Sequence, residues 1–143
     1  ICAISNTLLM RKKRKYSTKN GTLKYNTGNR EVHKVVFYRL ASGREPVREW
    51  LKHINSVSRK KIGEDLYTLQ LGWPVGMPLA RKIDAGLWEL RSNRPKGIAR
   101  IMFTEEKGLL ILLHGLIKKS QKLPASDLAL ARRRLAIVRK GRE

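Results

Sequence analysis

Residues 86–122 read GLWELRSNRPKGIARIMFTEEKGLLILLHGLIKKSQK, and their patterning decides the fold. Three runs of β-branched, aromatic and leucine residues are separated by polar clusters at Ser92–Gly97 and Glu105–Gly108, each closed by a glycine. Such punctuation predicts a β-meander. Strand side chains alternate between faces, so Trp88, Leu90, Ile101 and Phe103 are expected to share a core face. With Arg91 opposite Ile98 across the first turn, Arg91 and Arg100 emerge together on the other face. Arg100 then points away from Ile101 and Phe103, and its truncation would open no core cavity. The third run, Leu109–Ile117, is almost wholly apolar and reads as a central strand buried on both sides. It ends in Lys118, Lys119 and Lys122, which brings a lysine cluster towards the two arginines.

Upstream of the meander, Leu79–Ile83 is a short extended piece suited to a sheet edge, where Arg81 and Lys82 either flank a phosphate or keep the edge soluble. Before it, Ile62, Leu66 and Leu69 recur at helical spacing up to Gly72, with Ser58 as the expected N-cap. An earlier helix opens at Pro46 and carries the stripe Val47, Trp50, Leu51 and Ile54. The two form a helical hairpin that must bury its stripes on the sheet. Glu64 and Asp65 read as solvated helix surface, His53 as a rim histidine and His114 as a satisfied core histidine. Lys34–Leu40 is a first strand. Residues 1–33 are basic, polar and without period, which predicts a disordered arm ahead of a domain at 34–143. Met10 offers an internal start. At the other end, Pro124–Val138 is a helix whose stripe is Leu128, Ala131, Leu135 and Val138, with Arg132, Arg133, Arg134 and Arg139 facing outward.

A chain of 143 residues fits one domain with an ordinary core. Its 32 Lys and Arg against 11 Asp and Glu give a net charge of +21, which favours a polyanionic partner. The single cysteine, Cys2, excludes an internal disulfide and a cysteine metal cage, and His33, His53 and His114 lack metal-ligand spacing. No metal or cofactor is expected. No apolar run reaches the length of a membrane span, so the chain is expected to be soluble and cytoplasmic.

The sequence LWELRSN, GIARIMF, LLHGLIKKSQKLP and ARRRL, in that order, resembles the HigB-type, phage Gp49-like toxins of the RelE/ParE superfamily from about Val35 to Val138. The resemblance implies an α+β fold, RelE-like, with a small antiparallel sheet packed by an N-terminal helical hairpin and a C-terminal helix. It implies a type II toxin that cuts messenger RNA in the ribosomal A site, and a cognate antitoxin of helix-turn-helix type as partner. Family toxins carry an arginine at the position of Arg100, and the first meander strand carries one at Arg91.

The residue types suit that chemistry. Ribonucleolysis without a metal needs the 2′-hydroxyl deprotonated, the phosphorane charge neutralised and the 5′-oxygen protonated. Arginine grips phosphate in a fork and keeps its charge, which suits Arg91 and Arg100 to charge stabilisation. Lysines among other cations shift their pKa more readily, so Lys119 or Lys122 could handle protons. Arg81, Lys82, Arg94, Lys96 and Lys118 are the candidates for binding flanking phosphates. No tyrosine follows Tyr67, which leaves the proton donor without a clear residue. Two other readings fit the charge: a ParE-like inhibitor of DNA gyrase, or a nucleic-acid-binding module without catalysis.

Overall fold

A computed structural model describes residues 32–94, 97–118 and 122–141. The elements run β1 (Lys34–Phe37), α1 (Pro46–His53), α2 (Ser56–Gly72), β2 (Ala80–Asp84), β3 (Leu87–Arg94), β4 (Gly97–Glu106), β5 (Leu109–Lys118) and α3 (Ala125–Lys140). One five-stranded sheet has the order β1-β5-β4-β3-β2. The strands from β2 to β5 form an antiparallel meander, and β1 adds to β5 in parallel through Lys34 opposite Leu109 to Phe37 opposite Leu112. The architecture is α+β and consistent with a RelE-like fold.

Each sheet face is covered by helix. Val47 and Leu51 of α1 and Ile62, Leu66 and Leu69 of α2 pack on Leu90, Ile101, Phe103 and Leu112. Trp73 closes that layer edge-on to Trp88 and Phe103, at ring separations of 4.9 and 5.3 Å, so these tryptophans serve the core. Opposite, Ala131, Leu135 and Val138 of α3 pack on Leu87, Met102, Ile111 and Leu113. The sheet is therefore the middle of three layers, and a residue that alternation turns away from one core is delivered into a second.

Several local expectations are corrected. The cap of α2 is Asn55, whose Oδ1 accepts from the Ser58 amide at 2.8 Å, so only two residues separate the hairpin helices. Asn55, Ser56 and Ser58 can all cap, and the first of them takes the place. Asp65 is buried rather than solvated: its carboxylate accepts from the Ser92 hydroxyl and pairs with Lys61 at 3.1 Å. That bond draws Ser92 into the ladder, and the segment read as a wide turn continues as strand to Arg94. The register follows. Arg91 lies opposite Arg100, not Ile98, with Ser92 opposite Ala99 and Arg94 opposite Gly97. A shift of two residues preserves which face each side chain takes.

α3 does not simply point its arginines outward. Arg132 pairs with Asp84 at 3.1 Å, Arg139 donates to the Ala85 carbonyl at 2.7 Å, and Arg134 donates to the Leu113 carbonyl at 2.7 Å. These bonds clamp the helix to the β2–β3 turn and to β5. Of the expected arm, the described part is Val32 and His33. His33 exchanges backbone and side-chain bonds with Gln70 of α2, which anchors the entry to β1.

Candidate active site

The α3 face of the meander carries the candidate site. Strand alternation puts Glu89 and Arg91 of β3, Arg100 and Met102 of β4, and Arg81 of β2 on this face. Glu89 faces Arg81 on one side and Met102 on the other, while Arg100 faces Arg91 one row along. Three guanidinium groups thus converge on one carboxylate. Arg81 Nη2 is 3.4 Å from Glu89 Oε1, Arg91 Nε is 3.7 Å from the same oxygen, and Arg100 Nη1 is 3.9 Å from Oε2. Three positive charges against one negative leave the cluster at +2.

The cluster has a floor and a rim. Glu89 and Arg100 have no exposed side-chain surface, whereas Arg91 is 14% and Arg81 39% exposed. This corrects the reading of Arg100 as a surface residue. The second face of the sheet is itself a core, so Arg100 ranks among the largest fully buried side chains. Burial pushes the Arg100 guanidinium below its ordinary pKa; Glu89 opposes the shift, and Arg91 and Arg81 add to it. Both Glu89 oxygens are buried and accept no hydrogen bond among the described residues. The carboxylate neutralises part of the cluster's charge through these three ion pairs.

The remaining candidates divide. Lys118 ends β5 opposite Ile98, exposed and on the same face as Leu116, next to the Arg91–Arg100 row. Lys122 is exposed in the link before α3. Lys82 is not in the cluster: it faces Trp88 on the opposite face, its Nζ 6.0 Å from the ring centroid. Arg94 alternates with Ser92 and so belongs to the α2 face. Lys96 and Lys119 lie outside the described residues. His53 is tied to its own helix, Nδ1 lying 2.7 Å from the Glu49 carbonyl.

Two polar side chains take places that the sequence reading did not give them. Glu89 was legible in principle, because it alternates with Arg91 as a lone carboxylate in a basic strand. His114 was not. In β5 the register slips between Met102 and Phe103: Met102 faces His114 but Phe103 faces Leu112. The irregularity at Leu113 turns His114 onto the α3 face, where Nε2–H donates to Asp127 Oδ1 at 2.6 Å. The expected core histidine is instead a half-buried histidine–aspartate pair. Among the described residues, no group of three or more His, Cys, Asp or Glu side chains could hold a metal ion.

The fold is consistent with a RelE-like sheet, and its candidate site is basic and centred on one carboxylate. The family model of the phage-derived protein Gp49-like family (DUF891) matches residues 49–136, well over half the chain, and the chain belongs to that family. The match takes in most of the helical hairpin, the meander and most of α3. No curated protein matches the chain. No helix among the described residues is long and apolar enough to cross a membrane.

Proposed function

We propose that the chain is a HigB-type toxin of a toxin–antitoxin pair and cuts messenger RNA on the ribosome using its own side chains. The observation that carries this reading is the convergence of Arg81, Arg91 and Arg100 on buried Glu89. A cluster at +2 on rigid strands suits a phosphorane, whose charge rises in the transition state; one preorganised donor to such a charge contributes about 2.7–4 kcal/mol. Arg81 and Arg91, at the rim, meet the phosphate first, and Arg100 supplies charge from beneath. Glu89 has no exposed surface while the arginines sit on it, so it takes the 2′-hydroxyl proton only once Arg81 and Arg91 turn from it onto the phosphate. The 2′-oxygen then bonds to phosphorus and the bond to the 5′-oxygen breaks, that oxygen taking a proton from water, leaving a 2′,3′-cyclic phosphate and a 5′-hydroxyl. Asp65 and Asp127 are held by Ser92 and His114, and Glu89 is the carboxylate that lies within the arginine cluster.

Lys118 and Lys122 are exposed and extend the basic surface; Lys119 and Lys96 stay candidates on the sequence alone. The net charge of +21 supports a nucleic-acid substrate and an antitoxin acidic where it meets the basic surface. The place of action is then the cytoplasm, where messages are translated. Primer extension after induction, on a translated and an untranslated copy of one message, tests the proposal. Cuts confined to the translated copy are expected. Intact message accompanied by gyrase-linked DNA breaks would overturn it.

A further inference from the structure

We propose that the groove between α3 and the β2–β3 turn docks an acidic amphipathic helix of a protein partner. Naming that partner as the antitoxin rests on the toxin reading, whereas the groove's chemistry does not. Arg132, Leu135, Ala136 and Arg139 recur at i, i+3, i+4 and i+7, so they form one face of α3. With Asp84 and Leu87 they line a groove of about 350 Å³. Its floor is apolar, made by buried Leu87 and Leu135, and exposed Ala136 stands on the helix wall. Next along α3, Ile137 keeps 48% of its surface exposed and widens the apolar contact. Arg132, Arg133, Arg139 and Lys140 are exposed around this apolar strip. An apolar strip flanked by cations complements a helix whose leucine stripe is flanked by carboxylates.

The polar groups at the rim are held loosely enough to exchange. Arg132 reaches Asp84 through Nε at 3.2 Å and Nη2 at 3.1 Å, both to the one oxygen Oδ2. The other oxygen, Oδ1, accepts from the Ala85 amide at 3.0 Å and so belongs to the turn. Both side chains are about half exposed, and such a pair contributes little in water. An incoming carboxylate can offer Arg132 both oxygens, the stronger fork geometry. Arg139 lies against the turn, where Nη2 donates to the Ala85 carbonyl at 2.7 Å; that carbonyl takes one of its five N–H donors. Gly86 makes the approach possible, since a Cβ there would strike the guanidinium. Other occupants fit less well. A phosphate chain would satisfy the arginines and leave the leucine floor uncovered. A second copy, or this chain's own basic stretch Arg11–Lys15, would bring further cations to an arginine rim.

The probe is a fluorescein-labelled peptide of about two heptads, roughly 20 Å of helix, with leucine on one stripe and glutamate and alanine elsewhere. Its shuffled isomer keeps charge and composition but has no stripe. Anisotropy titrations with the full chain at physiological ionic strength read both. The striped peptide should bind the parent roughly tenfold tighter than the shuffled one. Ala136→Glu puts bulk and negative charge into the groove at an exposed position, and should weaken the striped peptide by roughly tenfold or more. Val57→Glu makes the same charge change at an exposed place on α2, across the sheet, and should leave binding within about twofold. Arg139→Gln should give a several-fold loss and carries the test if Ala136→Glu fails to fold. Equal binding of the two peptides, or equal losses in Ala136→Glu and Val57→Glu, would overturn the proposal. So would oligouridylate that displaces the peptide and loses affinity in Ala136→Glu alone, or a parent dimer that Ala136→Glu splits. None of these readouts needs cleavage. A chain that binds the striped peptide in the groove and leaves translated message intact would count against the ribonuclease reading alone.

Discussion

Replacing Arg100 should separate charge from volume in the buried cluster. Arg100→Met keeps most of the side-chain volume, and Glu89 retains Arg81 at 3.4 Å and Arg91 at 3.7 Å. The depressed Arg100 pKa means that burial outweighs the attraction of Glu89, so the native fold disfavours this charge. Replacing buried ionic groups by apolar ones of similar size is often neutral, or stabilising by about 1–4 kcal/mol. Arg100→Met should therefore melt at or above the parent. Arg100→Ala removes one of the largest fully buried side chains and should cost roughly 2–5 kcal/mol through the cavity. Glu89→Gln leaves the arginines without their counter-charge, at about 3–5 kcal/mol. At about 4 °C per kcal/mol, the Glu89→Gln midpoint falls roughly 12–20 °C. Thermal circular dichroism with urea titration reads all three. Arg100→Ala melting with the parent would refute the burial of Arg100. Glu89→Gln melting at or above the parent would refute the carboxylate as the group that offsets the arginines.

Other outcomes follow from packing. A Cβ on Gly115 would lie 2.6 Å from the Trp50 ring, so Gly115→Ala should destabilise by about 1–3 kcal/mol in urea unfolding unless α1 shifts. Asn55→Ala removes the α2 cap and should cost about 1 kcal/mol by the same measurement. Removing residues 1–31 should leave unfolding cooperative, because the two core clusters draw on residues from Val35 to Val138. A broad, non-cooperative melt would contradict that.

Much of the architecture was legible in the sequence, for identifiable reasons. The stripes of α1, α2 and α3 stand out because their apolar residues repeat at helical spacing. The face shared by Leu90, Ile101 and Phe103 follows from alternation alone and survives the register shift. The shift was hidden because Ser92, Asn93 and Arg94 have turn composition, whereas a partner distant in sequence, Asp65, holds Ser92 in the strand. The slip at Leu113 was hidden because an apolar run on a strand buried on both sides has no period to interrupt. Arg100 misled for a related reason. Binary patterning equates charge with solvent, and only the docking of α3 shows that both faces are covered. The arginines were visible as a pair; their convergence on Glu89 required the pairing of β2 with β3, which composition does not encode.

The central claim is that the arginine cluster on Glu89 is the cleaving site. End-group analysis of message cut on programmed ribosomes, by parent and by Arg91→Gln, tests it most directly. Arg91 is partly exposed and Glu89 keeps two other arginines, so the variant should melt close to the parent. The account predicts 5′-hydroxyl and 2′,3′-cyclic phosphate ends from the parent, with single-turnover cleavage by Arg91→Gln slowed roughly 10²–10³-fold. A folded Arg91→Gln protein that cuts at the parent rate, or parent products ending in 5′-phosphate, would contradict it.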